Sequence, residues 1–510
     1  MPPWYATQHM KSERGCPLRA GDAGLFAAFC GLLRKSGYTG EGVFARLGIA
    51  ALTEFTPLSG GRQAGPVEDP LDLLIRLFMD EECAGDDEIR GLLPGALEAM
   101  EALGVAGRMP GSNPPRWFAT VNLTPVGGLL IAADRRGHPG GEPFTPEPDV
   151  VYPVSEQTLR FLESLPPLPC ARLLDLGTGT GIAALHAAAE YAGHAWATDI
   201  TGRSAAFAAF NRQLNGLANV TVTQGDLYEA AGGGTFDRIV AHPPYVPVPA
   251  STWIFRDGGE DGEQVLRGIV EGLPRHLEPG GRFYGFGMAS DREGELLEQR
   301  IRQWLGAAAD EFDILLAAHA TLTPDNVKSP RGEEEREHWR KVVESRRVTH
   351  FFYGSILLER HAAARAAFTV RTQKGPRSGW REVEWLRGWM AASSCRDFEE
   401  RMLEWRPRLA PGLELRSVHR VREGRLAPGD CTLAVEYPFD SECACQPWLA
   451  EAVAGCDGAL TAREHFARCA GRGLLRPGMG GVEFARMLAV MISAGFLEID
   501  EFPLPAGGGR

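Results

Sequence analysis

The chain has 510 residues, too long for one ordinary domain and suited to about three at roughly 150 residues each. Its 44% hydrophobic and 23% charged content is that of a globular protein, and 53 basic against 66 acidic residues leave a net charge of −13, which argues against broad electrostatic capture of nucleic acid. No apolar run reaches membrane-spanning length, the N-terminus lacks the apolar core of a signal peptide, and ten cysteines without framework spacing suit a reducing cytoplasm.

Residues 1–145 read as a helical N-terminal domain with a hairpin, and substrate recognition is its expected role. Leu25, Phe26, Phe29, Leu32 and Leu33 recur at helical spacing. Leu71, Leu73, Leu74, Leu77 and Phe78 mark a second helix, and Leu97, Met100 and Leu103 a third. Thr120 to Asp134 alternates like a hairpin around Gly127-Gly128. The pattern suggests a small winged-helix-like unit.

Residues 146–375 alternate strands and helices, which predicts an α/β domain with a parallel sheet covered on both faces. ARLLDLG and HAWATDI read as buried strands with an Ala-rich helix, Ile182 to Tyr191, between them. VTVTQGD, FDRIVAHPPY, GRFYGFG and FFYGSILLERH continue the series. RGEEEREHWRKVVESRR reads as a solvated helix of mixed charge. Residues 376–510 form a third, α+β accessory domain, again winged-helix-like. There Thr461 to Glu464 is a capping box, and Phe484, Met487, Leu488, Met491 and Ile492 make one apolar stripe.

Two motifs carry chemistry. Asp175-Leu176-Gly177-Thr178-Gly179-Thr180-Gly181 follows a buried strand and opens a helix. Glycine there lets a ligand approach the backbone, and the helix start favours a carboxylate. The G-x-G-x-G spacing is tighter than that of dinucleotide binders and suits a ligand with an amino-acid tail and no pyrophosphate. Asp199, before Ile200, closes the next strand where an acid accepts from ribose hydroxyls. Asp226 is placed to accept from an adenine amino group, with Leu227 offering its amide. Asp175, Gly177, Thr178, Gly179, Gly181, Asp199, Ile200, Asp226, Leu227 and His242 are therefore the candidate cofactor-binding residues.

The second motif, Ala241 to Pro247, falls where the fourth strand should end. Two consecutive prolines, Pro243 and Pro244, fix the backbone so that a carbonyl can point into a site. Tyr245 offers a stacking face and His242 a second acceptor. Such a corner grips the hydrogens of a planar nitrogen, a poor nucleophile, and orients its lone pair toward a methyl donor. His242, Pro243, Pro244 and Tyr245 are the candidate catalytic residues. The two motifs in this order indicate an S-adenosylmethionine-dependent methyltransferase.

DLGTGTG, the acid at Asp199, GDL and PPY resemble the HemK-type protein-glutamine N5-methyltransferases and their N6-adenine relatives. YPVSEQT, Tyr152 to Thr158, and FRDGGEDGEQVLRGIV, Phe255 to Val270, extend the resemblance over about 146 to 290. It implies a class I, Rossmann-like seven-stranded sheet, S-adenosylmethionine as cofactor, and N-methylation of a protein, peptide or RNA; the lack of a spanning apolar run and the acidic charge add the expectation of no membrane partner and no strong indication of DNA.

His242 departs from the family, which has Asn, Asp or Ser there. A neutral imidazole has one acceptor nitrogen and can be protonated, so His242 as a general base in a small-molecule or peptide tailoring enzyme is an alternative. A non-catalytic cofactor-binding scaffold, and cyclisation of the cofactor's own tail, are others. With an ordinary pKa, methyl transfer would fall as His242 protonates near about pH 6.5. Cys443, Cys445, Cys456 and Cys469, with His465 nearby, lack the paired CxxC knuckles of a zinc site, so packed thiols and no metal are expected. Arg401, Arg406, Arg408, Arg416, Arg420, Arg422 and Arg425, with Trp405, make a locally basic stretch with acids interspersed, read as ordinary charged surface rather than an RNA patch. Trp253, Phe255 and Phe286 are candidates for a substrate cleft or for core.

Overall fold

The computed structural model describes residues 15–19, 21–57, 61–63, 65–250, 252–327, 332–362 and 365–505, the side chains of 422 and 426–430 excepted. Most of the N-terminal stretch read for a targeting signal, and the Arg422 side chain, therefore lie outside the described residues. The chain divides into two compact units. The first holds 1–162, 167–287 and 329–346, and the second 163–166, 288–328 and 347–510.

The first unit opens with α1 (Ala23–Lys35) and α2 (Gly40–Leu47). Each is started by a side-chain cap, Asp22 accepting from the Leu25 amide and Thr39 from the Gly42 amide. α3 (Pro70–Leu74) runs on into a wider π turn over Ile75–Met79. There follow β1 (Ala84–Gly85), α4 (Asp86–Leu92), α5 (Ala96–Ala102), β2 (Ala106–Arg108) and β3 (Arg116–Ala119), with β3 paired to both other strands. β4 (Val121–Val126) and β5 (Leu129–Asp134) then form a hairpin. Its two-residue turn, Gly127-Gly128, has positive φ at both positions, the geometry that matches strand twist.

α6 (Glu156–Ser164) leads into β6 (Cys170–Leu176), α7 (Ile182–Glu190), β7 (Ala192–Asp199), α8 (Gly202–Leu214), β8 (Val220–Gln224), β9 (Phe236–Ala241), α9 (Gln264–His276) and β10 (Leu277–Arg292). Five strands run parallel in the order β8-β7-β6-β9-β10. Leu173, Leu174, Leu176, Ile239, Val240 and Ala241 are buried, as strands covered on both faces require. The order reverses between β6 and β9, and the crevice beyond the carboxyl ends of these strands is where ligands bind in open α/β sheets.

The N-terminal elements share one apolar core with α8. Phe26 meets Phe210 edge-on at 5.1 Å between ring centroids, and Phe207 and Leu214 join the same cluster. Asn211 and Asn215, one helical turn apart, act toward β5 as a neighbouring strand would. Asn211 accepts from the Ala132 amide at 2.8 Å and donates to its carbonyl at 2.9 Å, and Asn215 does the same at Leu130. Arg203 forks onto Asp134 at 2.6 and 2.7 Å, both side chains buried.

The chain continues through α10 (Leu297–Leu305), β11 (Phe312–Leu322), α11 (Gly332–Ser345), β12 (Val348–Arg360) and β13 (Thr369–Gln373), of which α11 belongs to the first unit. In the second unit β11 pairs antiparallel with β12 and parallel with β13. The Rossmann-like α/β class stands, and the sheet strands number eight, β13 being an added edge beside β11.

The rest of the second unit holds α12 (Trp380–Ser393), α13 (Phe398–Glu404), β14 (Arg408–Leu409), β15 (Glu414–Arg422), β16 (Arg425–Val435), β17 (Ser441–Cys445), α14 (Pro447–Ala454), α15 (Ala462–Gly471), α16 (Gly481–Ser493) and β18 (Leu497–Glu498). Trp389 centres its core, with Phe398 and Phe502 at 5.5 Å and Trp405 at 6.2 Å. Thr461 and Glu464 form the capping box of α15. Among the described residues no helix is long and apolar enough to cross a membrane.

Candidate functional site

A cavity of about 380 Å³ opens at the strand-order reversal of the first unit. Asp175, Gly177, Thr178, Gly179, Asp199, Ile200, Asp226, Leu227, His242, Pro243, Pro244 and Tyr245 all line it. Two motifs more than sixty residues apart are thereby brought to one place, because β6 and β9 are adjacent parallel strands that end together. Gly181 does not line the cavity. It starts α7 at φ 86°, and a Cβ there would come within 3.2 Å of the Ala208 backbone, so its role is close packing of loop on helix.

The loop is held from within. Asp175 Oδ2 accepts from the Thr178 hydroxyl and, at 3.2 Å, from the Ala184 amide in the first turn of α7. Asp199 Oδ2 accepts from the Gly179 amide and Oδ1 from the Thr201 amide, each at 2.9 Å. Asn211 reaches the loop as well, donating to the Thr180 carbonyl at 2.9 Å. A Cβ added at Gly177 or Gly179 would meet nothing within 4 Å, so these two positions face open space. Burial pushes the Asp175 carboxyl up to about 7, with the nearby Asp199 charge acting in the same direction. Burial raises Asp199 too, against the hydrogen bonds it accepts, and it raises Asp226, whose carboxylate has no hydrogen-bond partner among the described residues. Leu227 sits at φ 41°, a left-handed conformation that costs about 1–3 kcal/mol for a residue with a side chain and that collects at ligand sites.

The other side of the cavity is aromatic. The His242 ring lies 5.3 Å from Phe161, 5.8 Å from Phe286 edge-on, and 6.2 Å from Tyr245 in a stacked arrangement. No described residue hydrogen-bonds its ring nitrogens, and the side chain lines the cavity. Burial pushes its pKa down to about 4. This corrects the expectation of a midpoint near 6.5: three apolar rings and no carboxylate partner keep the imidazole neutral at physiological pH.

Two walls flank this corner. Val150, Val151 and Tyr152 form one, fixed by the Val151 amide donating to Asp134 Oδ2 at 2.8 Å and by the Asp134 amide donating to the Val151 carbonyl at 2.9 Å. Residues 252–262 form the other. Tyr152 and Phe255 stack across them at 4.9 Å and remain 51% and 40% exposed, an aromatic mouth open to solvent. Glycine is required in the second wall: a Cβ at Gly258 would stand 2.8 Å from the Pro244 carbonyl oxygen, and one at Gly262 2.6 Å from that of Tyr245. Arg256 is the only lysine or arginine among the described residues lining the cavity, and Glu335 of α11 grips it at 2.7 and 2.9 Å.

Of the aromatic candidates, Phe255 lines the cavity, Phe286 packs on His242, and Trp253 lies under the Arg256 guanidinium at 5.7 Å. Phe161, Asn211 and Glu335 were not foreseen. Phe161 precedes Asp175 by 14 residues but stands about 80 from His242, Asn211 lies some 30 residues from either motif, and Glu335 lies nearly 90 beyond the second, so neither motif's spacing points to them. Cys443 and Cys445 lie on β17, while buried Cys456 follows α14 and buried Cys469 lies in α15, and no group of three or more described His, Cys, Asp or Glu side chains is disposed to hold a metal. In the basic stretch Arg401 pairs with Asp397, Arg408 with Glu498 and Asp500, and Arg416 with Glu414 and Glu442.

Residues 154–314 match the family described as methyltransferase small domain. A release factor glutamine methyltransferase of Xylella fastidiosa is 39% identical over 124 residues, 22% of this chain and 44% of that protein. A ribosomal protein uL3 glutamine methyltransferase of Bradyrhizobium diazoefficiens is 32% identical over 169 residues, 31% of this chain and 53% of its own. A putative protein N5-glutamine methyltransferase of Methanocaldococcus jannaschii is 31% identical over 137 residues, 26% of this chain and 68% of its own. The chain belongs to the class I S-adenosylmethionine-dependent methyltransferases, and within them to the HemK-like group. It spans about half the length of the first two relatives.

Proposed function

We propose that this chain transfers the methyl group of S-adenosylmethionine to a planar amide nitrogen of a protein or peptide, a glutamine side chain being favoured because the relatives it resembles are named for that residue. Bound cofactor supplies an electrophilic methyl on a sulfonium, and the residues of the cavity do the rest. They fit that cofactor. The volume is of the size that holds a small molecule, and positions 177 and 179 leave space that any side chain would fill. The start of α7 suits the carboxylate of an amino-acid tail, Asp199 the ribose hydroxyls, and the unpartnered Asp226 with the Leu227 amide the adenine edge.

The observation that carries the acceptor reading is the His242 corner. An amide nitrogen is a poor nucleophile because its lone pair is delocalised. A ring nitrogen of His242 accepting one of its hydrogens and the Pro243 carbonyl accepting the other would orient the lone pair, with Tyr245 against the amide plane. Held neutral with a pKa near 4, the imidazole keeps its lone pair free to accept a hydrogen bond from the amide, and the proton that the nitrogen sheds as it gains the methyl, far more acidic than imidazolium, would pass to that ring nitrogen or to water.

Charge supports a neutral acceptor. The described lining includes five acids, Asp149, Asp175, Asp199, Asp226 and Asp257, and one arginine already engaged by Glu335. A phosphate backbone would find no free cation there, which weighs against RNA. The test is methyl-labelled cofactor added with the enzyme to a lysate, followed by fractionation. Label is expected in protein and released as methylamine on amide hydrolysis. Label confined to RNA or to small molecules would overturn the reading.

A further inference from the structure

We infer that α11 is a brace for the acceptor side of the cavity, with Arg256 and Glu335 as positioning residues. That this side receives the acceptor rests on the function proposed above; the brace itself rests on geometry alone. α11 is an insertion between two sheet strands, β11 and β12, and its charges read in sequence as a solvated face. Two of its side chains are engaged instead. Glu335 takes the Arg256 guanidinium with both carboxylate oxygens at 2.7 and 2.9 Å, and the two side chains are only 18% and 16% exposed. His338 Nε2 stands 2.8 Å from the Glu260 carbonyl oxygen, donating to it. A planar two-point fork of this kind fixes orientation as well as distance.

From Arg256 the path to the corner is short. The Arg256 guanidinium also meets Asp257 Oδ1 at 3.3 Å, and Asp257 Oδ2 accepts from the Thr252 and Trp253 amides at 2.6 and 2.8 Å. The Arg256 carbonyl accepts from the Val246 amide at 3.1 Å, and the Gly258 amide donates to the Val246 carbonyl at 2.9 Å. Val246 follows Tyr245 directly, and Gly258 has no room for a Cβ against Pro244 and Tyr245. A helix outside the sheet thus holds residues 252–262 against the Pro-Pro-Tyr turn through a half-buried ion pair, with the His338–Glu260 hydrogen bond beside it. None of these hydrogen bonds ends on Gly177, Gly179 or Asp199, so the brace is inferred to act on one side of the cavity.

The experiment uses the full chain and compares wild type with Arg256→Ala, Glu335→Ala, Arg256→Glu, Glu335→Arg and the charge-swapped double variant. Hydrogen exchange is read at the Val246 and Gly258 amides, and the affinity for S-adenosylhomocysteine is measured by calorimetry. Each single variant should exchange about tenfold faster at these two amides, with the product's affinity within about threefold of wild type. The double swap should return most of the protection, a rescue that general loss of packing would not give. Unchanged protection in the single variants, or no return in the swap, overturns the brace. So does an affinity that falls in step with protection. Wild-type protein that does not bind S-adenosylhomocysteine would overturn the methyltransferase reading, while the exchange data would still decide the brace.

Discussion

The two sides of the cavity are built by opposite means. The cofactor side is backbone and carboxylate: open glycines at 177 and 179, the first turn of α7, the buried acids Asp175 and Asp199, and the half-buried Asp226. The acceptor side is ring and proline, with Phe161, Tyr245 and Phe286 around a neutral His242. The first offers charge and hydrogen bonds to a cationic, polar ligand. The second offers shape and a weak acceptor among aromatic rings, where orientation of the nitrogen matters more than attraction. Substitutions on the two sides should therefore separate affinity from turnover, and only the cofactor side should carry a strong pH dependence near neutrality.

The largest effect is expected at Asp199. Asp199→Ala strips the acceptor from the Gly179 and Thr201 amides and leaves ribose hydroxyls unmet, so affinity for S-adenosylhomocysteine should fall about 10³-fold by calorimetry. Next is His242→Ala, which should lower turnover of labelled cofactor about 10²-fold while that affinity stays within about threefold. His242→Asn restores an acceptor at the same place and should keep activity within about tenfold of wild type. A loss of affinity in the His242 variants would erase the division between the two sides.

Smaller effects follow from titration. Asp175 has a folded pKa of about 7, above its unfolded value, so the fold holds its proton, and the stability this confers is full in acid and is lost as pH rises from about 4 to about 7. Asp175→Asn should flatten that slope, seen as melting temperatures that differ between pH 5 and pH 8 by about 2 °C less than in wild type. His242 shifts the other way: the unfolded chain takes up its proton between about pH 6.5 and 4 while the fold resists, so stability falls as pH drops through that window. The smallest change of all is expected in activity. Turnover should show no inflection from His242 between pH 5 and 8, and an inflection near 6.5 that vanishes in His242→Asn would contradict the aromatic setting of the ring.

Local chemistry was legible in the sequence, and long-range company was not. The glycine loop, Asp199, Asp226 and the His-Pro-Pro-Tyr turn each announce themselves within a few residues, and alternation of strand and helix places them at one sheet edge. The Gly127-Gly128 hairpin was equally plain. What failed to show depends on partners far along the chain. An ordinary pKa for His242 follows from its residue type, and burial lowers it, with Phe161 and Phe286, some 80 and 44 positions away, among the rings packed around it. Gly181 looked like its two neighbours in the motif, yet it packs on Ala208 instead of facing the ligand. The charges of α11 were read as solvated because spacing within a helix cannot reveal that Glu335 meets Arg256, 79 residues earlier.

One measurement reaches the centre of the account: calorimetric titration of S-adenosylhomocysteine into wild type, Asp199→Ala and His242→Ala. Saturable one-to-one binding to wild type, lost in the first variant and kept in the second, is the predicted result. No binding to folded wild-type protein, or binding that Asp199→Ala leaves intact, would contradict a cofactor lying across the glycine loop.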